Sequence, residues 1–541
     1  MNKNFNKELL NLGMEKGYLL SPEMLGSDKF NSDFLNLVDT RIITKEKPMV
    51  LGTDICVGVE NKGISGINWV EFEKSKVLHE KKRNSKPYKT FQGLIYGQEK
   101  EKTKDEIKPT PEVLVETNPI VLGGPRHEGV KIINSYDKKP RKWEVKDFTA
   151  YFKRRYQFLL KVLQGRQELQ SIVSLNRLKT KKEREKVSCI GLVFDKRVSK
   201  NGNYVVSLED PTDTVNLIIK PNLEGAEDLC LDEVIAVKGT MAKDMVIVEE
   251  IFFPDIPVTG VLKKSPEEEY VAVISDIHVG SHNFLEKEFL EFIKWLNLES
   301  EKNRDIAEKL KYVFVVGDLV AGTGVYPSQE QDLVIKDLKS QYAKLAEYLS
   351  KVRKDVTLII CPGNHDATRM AEPQPPLIRE FSAPLFELKN AVFVSSPALI
   401  NIGAKKDFEG FNVLMYHGSS FHYYNNSVNH LRMADARNNP RLTWQYLLKK
   451  RHLAPTHGAA VYLPDAEEDG LLISRIPDIV VNGDIHKSDL GSYNGVLIIS
   501  PSCWERKSVI QERRGNEPDP GRVPFLNLKT REVKFLEFYK Q

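Results

Sequence analysis

Val271-Ala-Val-Ile-Ser-Asp-Ile-His278 decides how the chain is read. An apolar run of strand type ends in Ser275, and Asp276 and His278 follow with one residue between them. A buried strand delivers its last residues to a fixed place at a sheet edge. In extended chain, positions i and i+2 point to the same side. Asp276 and His278 are therefore expected to converge, and a carboxylate oxygen with an imidazole nitrogen is a ligand pair for a first-row metal ion.

Outward from that stretch the pattern recurs. Tyr312-Val-Phe-Val-Val316 runs into Gly317-Asp318, and Val356-Thr-Leu-Ile-Ile360 into Cys361-Pro-Gly-Asn364-His365-Asp366. Asn412-Val-Leu-Met415 runs into Tyr416-His417-Gly418, and Pro477-Asp-Ile-Val-Val481 into Asn482-Gly483-Asp484-Ile485-His486. Glycine lets the backbone turn sharply where a strand stops. Polar groups at so many buried strand ends are hard to satisfy without a ligand. Together they point to a two-metal site. Helical stretches at 284–298, 328–353 and 442–453 alternate with these strands, which is the α/β pattern.

The 541 residues are enough for about two to four domains. Basic and acidic residues nearly balance, 79 against 75, so any nucleic-acid surface must be local. Five scattered cysteines (Cys56, Cys189, Cys230, Cys361, Cys503) without a CxxC pair read as reduced intracellular protein without a zinc ribbon. The N-terminus lacks a hydrophobic signal core. No apolar run reaches the ~18 residues of a membrane span.

Residues 1–60 read as a small helical module, with a stripe at Phe5, Leu9, Leu10 and Leu12 and a helix start at Ser21-Pro22. Residues 61–141 read as a charged linker, since the stretches 79–87 and 99–109 are too poor in apolar residues to fold. Short apolar patches interrupt it at 91–96 and 113–121. Residues 142–260 read as a helix capped by Asp147, followed by a barrel. Runs at 188–194, 204–208, 215–219, 234–239 and 245–253, with turn signals between, suggest an OB-fold. Few aromatics lie on those runs, so a protein-docking role is favoured over single-strand binding. Residues 261–541 hold the metal-site pattern.

In order, D-x-H, G-D, G-N-H-D, H-G and a final G-x-x-H resemble the calcineurin-like metallophosphoesterases. Gly317-Asp-Leu-Val-Ala-Gly-Thr-Gly-Val-Tyr-Pro327, Pro362-Gly-Asn-His-Asp-Ala-Thr-Arg369 and Pro373-Gln-Pro-Pro376 resemble the small subunit of the archaeal family D DNA polymerase, over about residues 145–541. That subunit is related to the B-subunits of eukaryotic replicative polymerases. The resemblance implies two packed sheets flanked by helices. It implies a cytoplasmic, nucleoid-associated 3′–5′ proofreading exonuclease. Its partners would be a large catalytic subunit in a heterodimer, the single-stranded 3′ end of DNA and the sliding clamp, with no membrane. Two divalent ions are implied, manganese or iron, with zinc or magnesium as alternatives.

Residue by residue, the resemblance makes Asp318 the bridge between the ions. It gives Asp276, His278 and His486 to the first and Asn364 and His417 to the second. His365 becomes the catalytic histidine, and Asp366 orients an imidazole. The family's last motif usually reads G-H-x-H, whereas here Asp484 stands at the first histidine position. Carboxylate suits manganese or iron, but its charge lowers the Lewis acidity of the site. Two other readings follow: a catalytically decayed scaffold B-subunit, and a free-standing repair nuclease or phosphodiesterase.

Overall fold

The computed structural model describes residues 129–138, 141–169, 171–258, 262–507 and 515–540, together with isolated positions up to residue 72. The chain divides into two units, Met1–Glu116 and Thr117–Gln541. In the first, Leu19–Leu20 pairs in parallel with Val50–Leu51, and Phe34, Leu35, Val38 and Phe72 are buried. The expected stripe at Phe5, Leu9 and Leu10, the start at Ser21-Pro22, the charged stretches at 79–87 and 99–109 and the patches at 91–96 and 113–121 lie outside the described residues.

Two six-stranded sheets form the body of the second unit. The first runs Ala391–Phe393, Thr357–Cys361, Leu310–Val316, Tyr270–Ile274, Arg522–Asn527, Val533–Glu537 in spatial order. Its first four strands are parallel, and the last two run antiparallel to their neighbours. The second runs Asp489–Tyr493, Val496–Ser500, Ile479–Val481, Phe411–Met415, Ala398–Ile402, Val130–Ser135.

Period-two alternation explains why the strands read as unbroken apolar runs. Val271 and Val273 face the second sheet, in one cluster with Ile400, Val413 and Val481. Ala272 and Ile274 face outward onto the helices Glu286–Leu296 and Leu338–Ser350. On the far side, Leu414, Val480 and Ile498 pack against Phe421–Ser427 and Pro440–Lys450. Strands covered on both faces need apolar residues at every position.

Lys186–Val198, Tyr204–Glu209, Thr214–Ile219, Met245–Phe252 and Val234–Ala242 close into a five-stranded barrel. Its interior is filled by Val206, Leu208, Leu217, Ile235, Val237 and Val246. The helix Val145–Gln164 lies against the barrel through Tyr156, Leu159 and Leu163. Its other contact is with the two-sheet body, where Arg155 and Asp469 form a buried ion pair at 2.8 Å. A second buried pair, Lys450 with Glu233 at 2.7 Å, ties the barrel to the body directly.

Three expectations change. Val130–Ser135, read as linker, is an edge strand paired antiparallel with Ala398–Ile402; six residues carry too little pattern when the partner lies far along the chain. Asp147 is not the helix cap: Glu144 is, and Asp147 closes the capping box from three residues inside by accepting the Glu144 N–H at 2.8 Å. The stretch 328–353 holds a single 3-10 turn at Gln329–Gln331 and becomes α-helical only from Leu338.

Candidate metal centre

The centre sits where Tyr270–Ile274, Leu310–Val316, Thr357–Cys361, Phe411–Met415 and Ile479–Val481 stop. Each strand hands its next residues to the same place, yet not through the strand pleat. Asp276 and His278 have φ of 52° and 53°, Asp318 50°, Asp484 67° and His486 61°. The expected i and i+2 logic of extended chain is therefore replaced by left-handed turns. A non-glycine residue held there costs about 1–3 kcal/mol and persists where surrounding structure over-determines it. Outliers of this kind cluster at functional sites.

Three overlapping groups come together, each with ligand atoms within 4.8 Å: Asp276, His278 and His486; His278, Asp318 and His365; Asp276, Asp318 and His417. His278 Nε2 faces His486 Nε2 at 3.3 Å, and His486 Nε2 lies 3.2 Å from Asp276 Oδ1. Asp318 is central. Its Oδ1 lies 3.3 Å from His417 Nε2, and its Oδ2 lies 3.7 Å from His278 Nε2 and 3.9 Å from His365 Nε2. Asn364 Oδ1 meets His417 Nε2 at 3.0 Å, and Asp484 Oδ1 stands 4.0 Å from that nitrogen. All eight residues expected at the site are thus gathered in one place.

Backbone carbonyls aim the rings. His417 Nδ1–H donates to Val316 O at 2.9 Å, and His365 Nδ1–H donates to Ala321 O at 2.8 Å. Fixing one nitrogen fixes which lone pair faces the centre. Gly363 makes the close approach possible: a Cβ there would fall 2.2 Å from Asp318 Oδ1 and 2.7 Å from His417 Nε2.

Asp276, Asp318 and His417 are at most 2% exposed. Burial opposes the Asp318 charge, but the His417 and His365 imidazoles outweigh it and hold its carboxyl well below the usual range. Burial pushes His278 below its ordinary value, toward the neutral form that binds metals. Asp366 is pushed up to about 7 by burial and by the neighbouring Asp318 carboxylate. It does not orient an imidazole. It accepts from Gly363 N at 2.8 Å, Leu319 N at 3.2 Å and the Tyr342 hydroxyl at 3.1 Å, bracing two of the converging loops.

These residues fit a pair of divalent ions. His417 Nδ1–H is committed to Val316 and its Nε2 points at the lone pairs of the Asn364 and Asp318 oxygens; against burial, the Asp318 carboxylate raises the His417 pKa well above its ordinary value, so a proton fills that place when no ion does. Converging lone pairs need a cation or a proton between them. Asp484 Oδ2 is buried without a hydrogen-bond partner, although His422 Nε2 is 3.3 Å away. Such an orphan oxygen is the mark of a missing ligand or ion. Mixed carboxylate, imidazole and amide donors suit first-row metals.

Three further neighbours stand outside the motifs that define the site. Glu505 Oε2 lies 3.9 Å from His278 Nε2. The signal was present, since Glu505 also follows a strand end, Val496–Ser500. Glu372, fully buried and pushed up to about 7 by burial, accepts from the Tyr416 and Ser419 hydroxyls at 3.0 and 2.7 Å and so grips the turn that carries His417. His422 Nε2 stands 3.3 Å from Asp484 Oδ2 without a hydrogen bond to it.

Comparison with known proteins agrees with this geometry. Residues 270–488 match the calcineurin-like phosphoesterase family. The chain is 35% identical to a DNA polymerase II small subunit of Methanothermobacter thermautotrophicus, over 73% of this chain and 80% of that one. For the Pyrococcus furiosus protein of the same name it is 34%, over 84% and 72%. This chain belongs to the DNA polymerase II small subunit family. A third small subunit, from Methanocaldococcus jannaschii, is 38% identical over 71% of this chain and 64% of its own length. In the present chain the stretch matched to the phosphoesterase family runs from the strand Tyr270–Ile274 to just past His486 and spans the strand ends of the metal centre. Among the described residues no helix is long and apolar enough to cross a membrane.

Proposed function

We propose that the chain is the 3′–5′ exonuclease subunit of a two-subunit DNA polymerase, bound to a large catalytic subunit and hydrolysing the terminal phosphodiester of a frayed primer. The observation that carries this reading is the position of Asp318, a buried carboxylate with one oxygen toward His417 and the other toward His278 and His365. A carboxylate shared between two clusters is what a two-ion phosphodiesterase requires.

In this reading Asp276, His278 and His486 hold one ion, Asn364, His417 and Asp484 the other, and Asp318 both. Two such ions would neutralise phosphate charge and supply a nucleophile near neutral pH. The protein's own groups do the rest. Val316 O and Ala321 O set the rings of His417 and His365. His365 Nε2 faces the centre from a half-buried position, where it can protonate the leaving oxygen. The walls of buried strand ends keep the donor oxygens dry, and low dielectric strengthens their hold on charge. The barrel, read as an OB-fold, serves protein docking; its exposed Phe194, Val198 and Ile247 support that role.

His365→Ala tests the assignment. Release of the 3′-labelled nucleotide from single-stranded DNA should fall about 10²–10⁴-fold, the scale of a general acid, while metal content measured by mass spectrometry stays at the wild-type value. Unchanged release refutes the role. A second reading, a scaffold with a decayed site, is favoured by Asp484 alone. It requires that wild-type protein release no nucleotide and bind metal substoichiometrically.

A further inference from the structure

The loop after Asp318 carries an aromatic ring that the metal centre does not use. Tyr326 is half-buried, and its ring centre lies 6.4 Å from that of His365. The loop is held rigidly. Gln329 Nε2 donates to Ala321 O at 2.8 Å, and its Oε1 accepts from Val325 N at 2.9 Å. Gln341 Oε1 accepts from Gly322 N at 2.9 Å, while its Nε2 donates to Ile335 O at 2.7 Å. Gln329 and Gln341 are at most 1% exposed, so two buried amides clamp the loop from beneath. Thr323, Gly324, Pro327 and Ser328 are exposed, which puts Tyr326 at the solvent-facing side of the centre.

The ring is fixed at its far end as well. Its hydroxyl donates to Asp332 Oδ2 at 2.9 Å. The phenol is therefore already satisfied, and what it offers beside His365 is its aromatic ring, tilted 59° to the imidazole. A strand whose terminal phosphodiester reached His365 would bring its nucleobase into the neighbourhood of this ring.

We propose that Tyr326 is the stacking platform for the terminal nucleobase of the DNA strand being hydrolysed. The assignment rests on the exonuclease reading and deepens it: the substrate would be chosen by an aromatic face as well as by its phosphate. Every base has a π-face, so such a platform holds a terminus without reading sequence. Because Ala321 O also orients His365, the loop joins base binding to the placement of the proton donor.

The test uses the full chain, with Tyr326→Leu and, to keep the ring, Tyr326→Phe. Two substrates are compared: single strands ending in a normal nucleotide and in an abasic one. Wild type and Tyr326→Phe should favour the base-bearing end about tenfold in kcat/KM, the scale of one base stacked on an aromatic ring. Tyr326→Leu should treat both alike. An equal loss by Tyr326→Leu on both substrates would mean the ring only supports His365, and the proposal falls. A second arm needs no turnover. A strand ending in 2-aminopurine behind a cleavage-resistant phosphorothioate linkage should be quenched by wild type and Tyr326→Phe but not by Tyr326→Leu, with strand binding followed by anisotropy. Equal quenching by all three, or no strand binding, overturns the platform. If wild type cleaves neither substrate, the exonuclease reading fails, while the fluorescence still decides whether a base stacks here.

Discussion

Replacing Asp469 with alanine should unfasten the helix Val145–Gln164 from the two-sheet body. Asp469 accepts from Arg155 Nε at 2.8 Å, the Tyr151 hydroxyl at 2.7 Å, His452 Nε2 at 2.9 Å and Leu471 N at 3.2 Å. The side chains of Arg155 and Asp469 are 2% and 1% exposed. Without the carboxylate, the guanidinium keeps the Pro455 carbonyl at 2.6 Å and stays buried with its charge uncompensated. Breaking one side of a buried pair costs about 3–5 kcal/mol. The stranded Tyr151 and His452 donors add about 1 kcal/mol each. The Asp469→Ala variant should thus lose about 5–7 kcal/mol. Urea unfolding gives the total, and hydrogen exchange of amides in Val145–Gln164 shows where it is lost. Arg155→Met combined with Asp469→Leu removes both charges and should recover more than half, since apolar replacement of a buried pair is near neutral. A loss under about 1 kcal/mol in Asp469→Ala, or a double variant no better than the single one, would refute a buried charge pair as the fastening.

Two further outcomes follow from the same structure. His452 accepts from Ala454 N at Nδ1, at 2.9 Å, and donates to Asp469 from Nε2, so it is satisfied only as a neutral ring. Burial, helped by Arg155, pushes its pKa down to about 4 against an ordinary 6.5. The unfolded chain then binds the extra proton first, so this stability is complete above about pH 6.5 and is lost as pH falls through about 4, up to about 3 kcal/mol. Urea midpoints at about pH 7 and pH 5 should separate wild type from His452→Gln by less at the lower pH, and a constant difference would sink the linkage. Gly363→Ala forces a methyl into Asp318 Oδ1 and the Asp318 backbone nitrogen, 2.2 and 2.4 Å from the new Cβ. Bound metal should fall by at least about tenfold, or 1.4 kcal/mol, by mass spectrometry; full metal content would show that the cradle yields.

The strands of the metal centre were legible because both faces of each are covered, so Val271 to Ile274 and Tyr312 to Val316 carry apolar residues at every position. The barrel was legible for a local reason, since hairpin turns announce themselves within a few residues. The partners that brace the site were not. Glu372 braces the turn of His417 only through tertiary packing, and nothing in its immediate neighbours marks it as buried. The segment 328–337 read as helix, whereas beyond one 3-10 turn it is held by the side-chain amides of Gln329 and Gln341, which leave no periodic trace. The convergence of Asp276 and His278 was foreseen for a different reason from the one that operates, since spacing does not reveal a reversal of backbone handedness.

That handedness bears on how such a centre disappears. Glycine adopts positive φ without penalty, so at positions 276, 278, 318, 484 and 486 a drift to glycine would relieve local tension while deleting a donor atom. A lineage freed from holding ions has that downhill route open at every one of the five. This chain has taken it at none of them, and the tension is still stored around Asp318.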